Sequence, residues 1–374
     1  MSLDLEFDII PHFILSYPWT ELIHVYMVRA CCRLGQVFNH NFLGYFNIPL
    51  VPILVATLLA GHGLRKRSLS PSGALAAFFT GVAMLSPPLR SFGISLIVFY
   101  LVGSRATKVG KSRKAQLEEG HQEAGYRGAS QVICNSFSAL IATLLWSAAF
   151  VPDSLASQLL PSLFVLPGQP YSSTKWCPVS PQVTSGWSRA LLLVSLGHFA
   201  CCLGDTLASE LGILSKSPPI LITTFKPVPP GTNGGLSVRG TVASLAGGFV
   251  MGLTLAITLA IENTICRRNW VTELVPLLLW GTAAGGLGSL IDSFLGATIQ
   301  ETRQSSKTKR ILPDEVGPAA TEKPIVINGM DVLTNNQASS FILGSVVSAD
   351  CRFVGQLSFI YPYFLSARSI CLKQ

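Results

Sequence analysis

Apolar runs separated by short polar, glycine-rich segments recur along the chain, at residues 47–64, 73–89, 92–103, 129–150, 190–203, 241–261, 274–291 and 341–349. Within a run almost every position is apolar, so no polar face faces water. That is the pattern of a helix buried all round or sitting in lipid. A membrane-spanning helix takes about 20 residues, so the shorter runs must draw on their flanks. The pattern predicts an all-α polytopic membrane protein of about eight transmembrane helices. It divides into an N-terminal arm (1–46), a first membrane repeat (47–151), a non-cytosolic loop (152–185), a second membrane repeat (186–349) and an atypical tail (350–374).

Composition agrees. Charged residues make up 12% of the chain, against about 25% in soluble domains. The net charge of +8 is carried by loops between runs, which argues against nucleic acid and for the loop bias that orients membrane proteins. With Arg65-Lys66-Arg67 on the cytosolic side, the bases between Arg105 and Arg127, those between Lys216 and Arg239, and those between Arg303 and Lys323 fall on that side too. The Arg267-Arg268 pair is the awkward exception. The cysteines show no CxxC and no Cys/His metal spacing, so neither a zinc site nor a disulfide framework is expected. The N-terminus, acidic at Asp4, Glu6 and Asp8 and broken by Pro11 and Pro18, is not a signal peptide and reads as an interfacial segment or a poor span.

The stretch LSPSGALAAFFTG at residues 69–81 matches LSVRGTVASLAGG at residues 236–248 at Leu69/Leu236, Ser70/Ser237, Gly73/Gly240, Ala76/Ala243 and Gly81/Gly248. QVICN from Gln131 is echoed by DVLTN from Asp331. The reading is a tandem four-helix repeat with both copies in one orientation, which would place a site between the halves.

Four polar segments then share the cytosolic side: GSRATKVGK from Gly103, GDTLASELG from Gly204, KPVPPGTNGG from Lys226 and GSLIDSFLGA from Gly288. Ionisable residues on a spanning helix are costly and mark sites by default. On an ideal helix His198, Asp205 and Ser209 share a face, with Cys201 and Cys202 close to it. Glu210 lies about 140° from Asp205, so the two carboxylates reach one ion only if the helix ends or bends near Ser209. Asp292 sits in a stripe of small residues with Gly288 and Gly296, extended by Gly281 and Gly285, which draws in a partner backbone and keeps the Asp off lipid. Pro227, Pro229 and Pro230 forbid a helix. The loop of Gly231, Thr232, Asn233, Gly234 and Gly235 can turn backbone N–H groups on an anion, and Lys226 adds a point charge for phosphate. Arg105 and Lys108 lie on one helical side and suit a lipid phosphate or anionic headgroups.

Taken together, Ser72-Gly73-Ala74, GSRATKVGK, GASQVICN, GDTLASELG, LITTFKPVPPGTNGGLSVRGT and GSLIDSFLGATIQ resemble the transmembrane protein 19 family, which includes the plant phytyl-phosphate kinases. The likeness covers about residues 48–347. The tail past 349 and the polar N-terminal arm depart from it. The resemblance implies an integral membrane kinase that transfers a phosphoryl group from CTP or another nucleoside triphosphate to an isoprenoid monophosphate. In that reading Asp205, Glu210 and Asp292 hold Mg²⁺, with Asp205, Asp292 and Lys226 catalytic. Gly231–Gly235 hold the nucleotide, and Arg105, Lys108 and Asn135 the lipid phosphate. Two rival readings use the same parts. A cytidylyltransferase of the CDP-lipid type would leave CMP on the lipid, and a transporter would use His198 and Asp205 for coupling. The expected location is the endoplasmic reticulum or another endomembrane.

Overall fold

Apolar composition dictates helix where no water is available to the backbone, and the helices fall on the apolar runs. In the computed structural model the described residues are 49–117, 126–152, 154–159, 169–308, 310–312 and 325–330. The longer helices are α1 (Leu50–Arg65), α2 (Pro71–Leu85), α3 (Ser91–Ala106), α6 (Phe137–Phe150), α8 (Trp187–Gly212), α9 (Val238–Glu262) and α12 (Val275–Ile299). Short helices α4 (Lys111–Leu117), α5 (Ala129–Cys134), α7 (Leu155–Leu159), α10 (Thr264–Arg268) and α11 (Trp270–Glu273) lie between them. By internal contacts the chain divides into two units, 1–55 and 56–374. The helical residues described in the first are the opening turns of α1, and everything below concerns the second.

Three helical stretches, Thr184–Gly212, Val238–Glu262 and Trp270–Ile299, are long and apolar enough to cross a membrane; Leu50–Arg65, Pro71–Leu85, Ser91–Ala106 and Phe137–Phe150 are shorter apolar helices. Large apolar side chains on their outer faces stay exposed, Leu75 at 60%, Phe79 at 62% and Leu279 at 70%, as helices in lipid require. The run at 341–349, the N-terminal arm and the tail lie outside the described residues. The run at 129–150 is two helices rather than one: α5 ends at Cys134, and Asn135 and Ser136 turn the chain before α6.

The two halves of the sequence echo share a helix start. Ser70 caps α2 by accepting from the Gly73 N–H, and Ser237 caps α9 by accepting from the Gly240 N–H. A serine at this position satisfies one of the four orphan donors of a helix N-terminus. The likeness is local: α2 has 15 residues and α9 has 25.

Helices α8, α9 and α12 pack on one another at glycines. A Cβ on Gly248 of α9 would stand 2.1 Å from the Gly281 carbonyl oxygen of α12. One on Gly204 of α8 would meet the Gly285 carbonyl oxygen at 2.7 Å, and one on Gly247 would meet the Gly204 nitrogen at 2.9 Å. In lipid no hydrophobic force drives helices together, so close backbone approach through small residues supplies the contact.

The end of α9 is tied down separately. Glu262 accepts from the Arg90 N–H and the Ser91 hydroxyl at the start of α3, at 3.0 and 2.6 Å. Asn263 Nδ2 donates to the Trp176 carbonyl, and Tyr171 packs edge to face on Trp146 and Trp176, as Phe150 does on Trp176. Cys177 and Cys266 form a disulfide here, which the absence of a spacing motif did not anticipate. Strand content is small: β1 (Ile220–Leu221) pairs antiparallel with β2 (Gly235–Leu236), and β3 (Thr302–Gln304) lies between β4 (Ile311–Leu312) and β5 (Ile325–Asn328).

Candidate functional site

The glycine contacts place two acids side by side. Helix α12 passes over one turn of α8, with Gly285 on Gly204 and Gly288 on Cys201, whose Sγ would lie 2.2 Å from an added Cβ. Asp205 follows Gly204, and Asp292 lies one turn beyond Gly288. Their carboxyl groups face each other across the two helices. Two carboxyl groups in contact are held by a shared proton or by a cation.

The proline-glycine loop closes one side of this pair. Gly234, at φ +78°, sits against α12 so closely that a Cβ would lie 2.5 Å from the Ser293 carbonyl oxygen, and Gly296 lies against the Gly234 nitrogen. That contact, next to Asp292, is what demands glycine at residue 234. Three of the loop's donors are spent within the protein: the Thr232 N–H goes to Pro229 O, the Asn233 N–H to Thr302 Oγ1 and the Gly235 N–H to Thr232 O. Asn328 Nδ2 donates to the Asn233 carbonyl. These groups fasten the loop to the end of α12 and do not form an open ring of amides around an anion. Lys226 is exposed on the β1–β2 hairpin, its carbonyl accepting from the Leu221 N–H.

Glu210 does not join the pair. Helix α8 runs without a break to Gly212, so the bend needed to swing Glu210 round to Asp205 is missing. Its carboxylate accepts from Lys114 Nζ at 2.5 Å. Lys114 is 1% exposed and also reaches the Ala106 and Thr107 carbonyls, the open C-terminal end of α3. Among the described residues no three His, Cys, Asp or Glu side chains are grouped to hold a metal ion.

Arg105 and Lys108 are exposed, while Asn135 is half-buried at the α5–α6 break. His198 Nδ1 lies 2.6 Å from Ser138 Oγ. His198 is fully buried and ties α8 to α6. Ser209 is exposed, its hydroxyl turned back on the Asp205 carbonyl.

Sequence reasoning did not single out Arg127. It lies between α4 and α5, strapped by its backbone to the segment before α2: the Arg127 N–H donates to Ser68 O, and Arg127 O accepts from the Ser70 N–H. Its guanidinium donates to Ser104 Oγ at 3.1 Å and borders Gly103, as does the Thr206 methyl. Burial pulls the guanidinium below its usual pKa, with Tyr100 and Glu210 pulling the other way. The only signal in the sequence was an Arg-Gly step ahead of an apolar run, which carries no period.

Residues 54–344, more than half of the chain, match a family model described as integral membrane protein DUF92. Protein PGR of Arabidopsis thaliana is 35% identical over 287 residues, 76% of this chain and 88% of that one. An uncharacterized membrane protein of Methanocaldococcus jannaschii is 27% identical over 67% of this chain and 82% of its own length. The Arabidopsis thaliana protein named VTE6, chloroplastic, is 25% identical over 64% of this chain and 59% of its own. No solved structure matches.

Proposed function

We propose that this chain, which belongs to the DUF92 family of integral membrane proteins, is an isoprenoid-phosphate kinase of the phytyl-phosphate-kinase kind. The reading rests on one observation: two acids from well-separated segments touch where three helices meet at glycines, beside a loop anchored on the turn that follows Asp292. The donor set fits a hard divalent cation, since Mg²⁺ takes one or two carboxylates and completes its shell with water and substrate phosphates. Asp205 and Asp292 are the residues that would hold Mg²⁺, whose charge when bound offsets the repulsion between the two phosphates.

The rest is positioning. An oxygen of the lipid monophosphate attacks the γ-phosphorus of the nucleotide. The bond from that phosphorus to the β–γ bridging oxygen breaks, and nucleoside diphosphate leaves lipid diphosphate behind. A phosphate monoester is mostly ionised at neutral pH, so no base is needed. Catalysis of such a transfer is alignment and charge stabilisation. The fixed backbone of the Gly231–Gly235 loop walls one side, and Lys226 supplies mobile positive charge to the donor. CTP is the favoured donor.

A membrane with an oxidising compartment on one side, such as the endoplasmic reticulum, fits the Cys177–Cys266 bond at the far end of α9. The relative named chloroplastic makes a plastid membrane the alternative, and fractionation decides between them.

The test is product analysis. The purified chain in lipid nanodiscs is given phytyl monophosphate, Mg²⁺ and CTP. Lipid diphosphate with CDP supports the kinase. Lipid-linked CMP with pyrophosphate replaces it with the cytidylyltransferase, and no consumption of CTP, ATP or GTP removes both.

A further inference from the structure

Arg127 has the setting of a ligand-binding cation, and nothing in the reading above uses it. Its backbone is fixed on both sides by hydrogen bonds to Ser68 and Ser70. A Cβ on Gly73 would lie 2.2 Å from the Arg127 carbonyl oxygen, so the capped start of α2 is built against this one residue. The side chain is half-buried and donates to the Ser104 hydroxyl. Tyr100 sits one turn earlier on α3, and the Thr206 methyl shares the Gly103 contact.

Among the described residues the charges around it do not cancel: Glu210 is the nearby anion, but its carboxylate is bonded to Lys114, so Lys114, Arg127 and Glu210 leave one positive charge over. A partly buried cation without a full counter-charge is costly unless a ligand completes it. Of the five N–H groups of a guanidinium, the one bonded among the described residues goes to a neutral hydroxyl that keeps its own hydrogen to donate. Planar guanidinium with flanking hydroxyls suits a phosphate oxyanion.

Location gives the ligand its role. Thr206, whose methyl shares the Gly103 contact, follows Asp205 on α8. The same end of α8 therefore carries the acids Asp205 and, across the helix contact, Asp292, with the basic group of Arg127 beside it. We infer that Arg127 and Ser104 bind the phosphate monoester of the acceptor lipid, and that the exposed Arg105 and Lys108 do not. This rests on the kinase reading for the identity of the acceptor, but not for the existence of an anion site.

The experiment is equilibrium binding of radiolabelled phytyl monophosphate to the nanodisc-reconstituted chain. Phytol and inorganic phosphate serve as competitors, and phosphoryl transfer is measured in parallel. The Arg127→Gln variant should raise the Kd at least about tenfold, the loss of a charged hydrogen bond, with Arg127→Lys between it and wild type. The Arg105→Gln/Lys108→Gln double variant should bind within about twofold of wild type, as exposed charges contribute little. Competition by phytyl monophosphate far better than inorganic phosphate assigns a lipid headgroup. Equal competition by inorganic phosphate assigns a free-phosphate site and overturns the acceptor assignment. Should Arg127→Gln fail to fold, Arg127→Lys carries the test. Unchanged binding in Arg127→Lys and in a foldable Arg127→Gln overturns the proposal, as does loss of binding confined to the Arg105/Lys108 variant. Arg127-dependent binding without phosphoryl transfer removes the kinase reading and leaves this one standing.

Discussion

Asp205 on α8 and Asp292 on α12 face each other carboxyl to carboxyl, and they do so because Gly204 and Gly285 let the two backbones touch. Any larger residue at the crossing would push the helices apart and separate the acids with them. The placing of the carboxyl pair is thus set by glycines that carry no chemistry themselves.

Gly248→Ala should therefore act twice. Its Cβ would sit 2.1 Å from the Gly281 carbonyl oxygen, a backbone atom that cannot step aside. Overpacking of this kind costs about 1–3 kcal/mol, and activity should fall further than stability because Asp292 shifts. Gly61→Ala, whose Cβ meets nothing within 4 Å, should be neutral or gain up to about 1 kcal/mol from helix propensity. Thermal unfolding in detergent and activity on the same preparations check both.

Replacing either member of the Lys114–Glu210 pair should destabilise unequally. Glu210→Gln strands an ammonium whose side chain is 2% exposed, whereas Lys114→Met strands a carboxylate that is 23% exposed. The first should cost about 3–5 kcal/mol and the second less. The double variant should recover part of the loss, and denaturant melts of the three variants give the coupling energy.

Serine at Cys177 or Cys266 should lower stability by about 2–5 kcal/mol. It should also expose one more thiol to a maleimide reagent without prior reduction. Mass spectrometry of the labelled, unreduced chain counts the thiols.

Much of this was legible in the sequence for a plain physical reason: apolar composition and small-residue stripes are local. The runs at 190–203, 241–261 and 274–291 became the three long helices, and the stripe around Asp292 became the contact with α8 and α9. What needed the fold was pairing at a distance. Glu210 and Lys114 are 96 residues apart, and Cys177 and Cys266 are 89 apart. No motif spacing announces either. The break at Asn135 was hidden because Val132, Ile133 and Phe137 keep the run apolar across it. Arg127 was passed over as one loop base among many, since its burial comes from the serines before α2 and from α3.

The central claim is that the Asp205–Asp292 pair is the cation-binding centre of phosphoryl transfer. The direct measurement is transfer from γ-labelled CTP to phytyl monophosphate by wild type, Asp205→Asn and Asp292→Asn, each checked for an unchanged melting profile. The account predicts magnesium-dependent lipid diphosphate from wild type and a loss of at least about 100-fold in each variant, the scale of removing one main electrostatic contributor. Transfer at wild-type rate in both well-folded variants would contradict it.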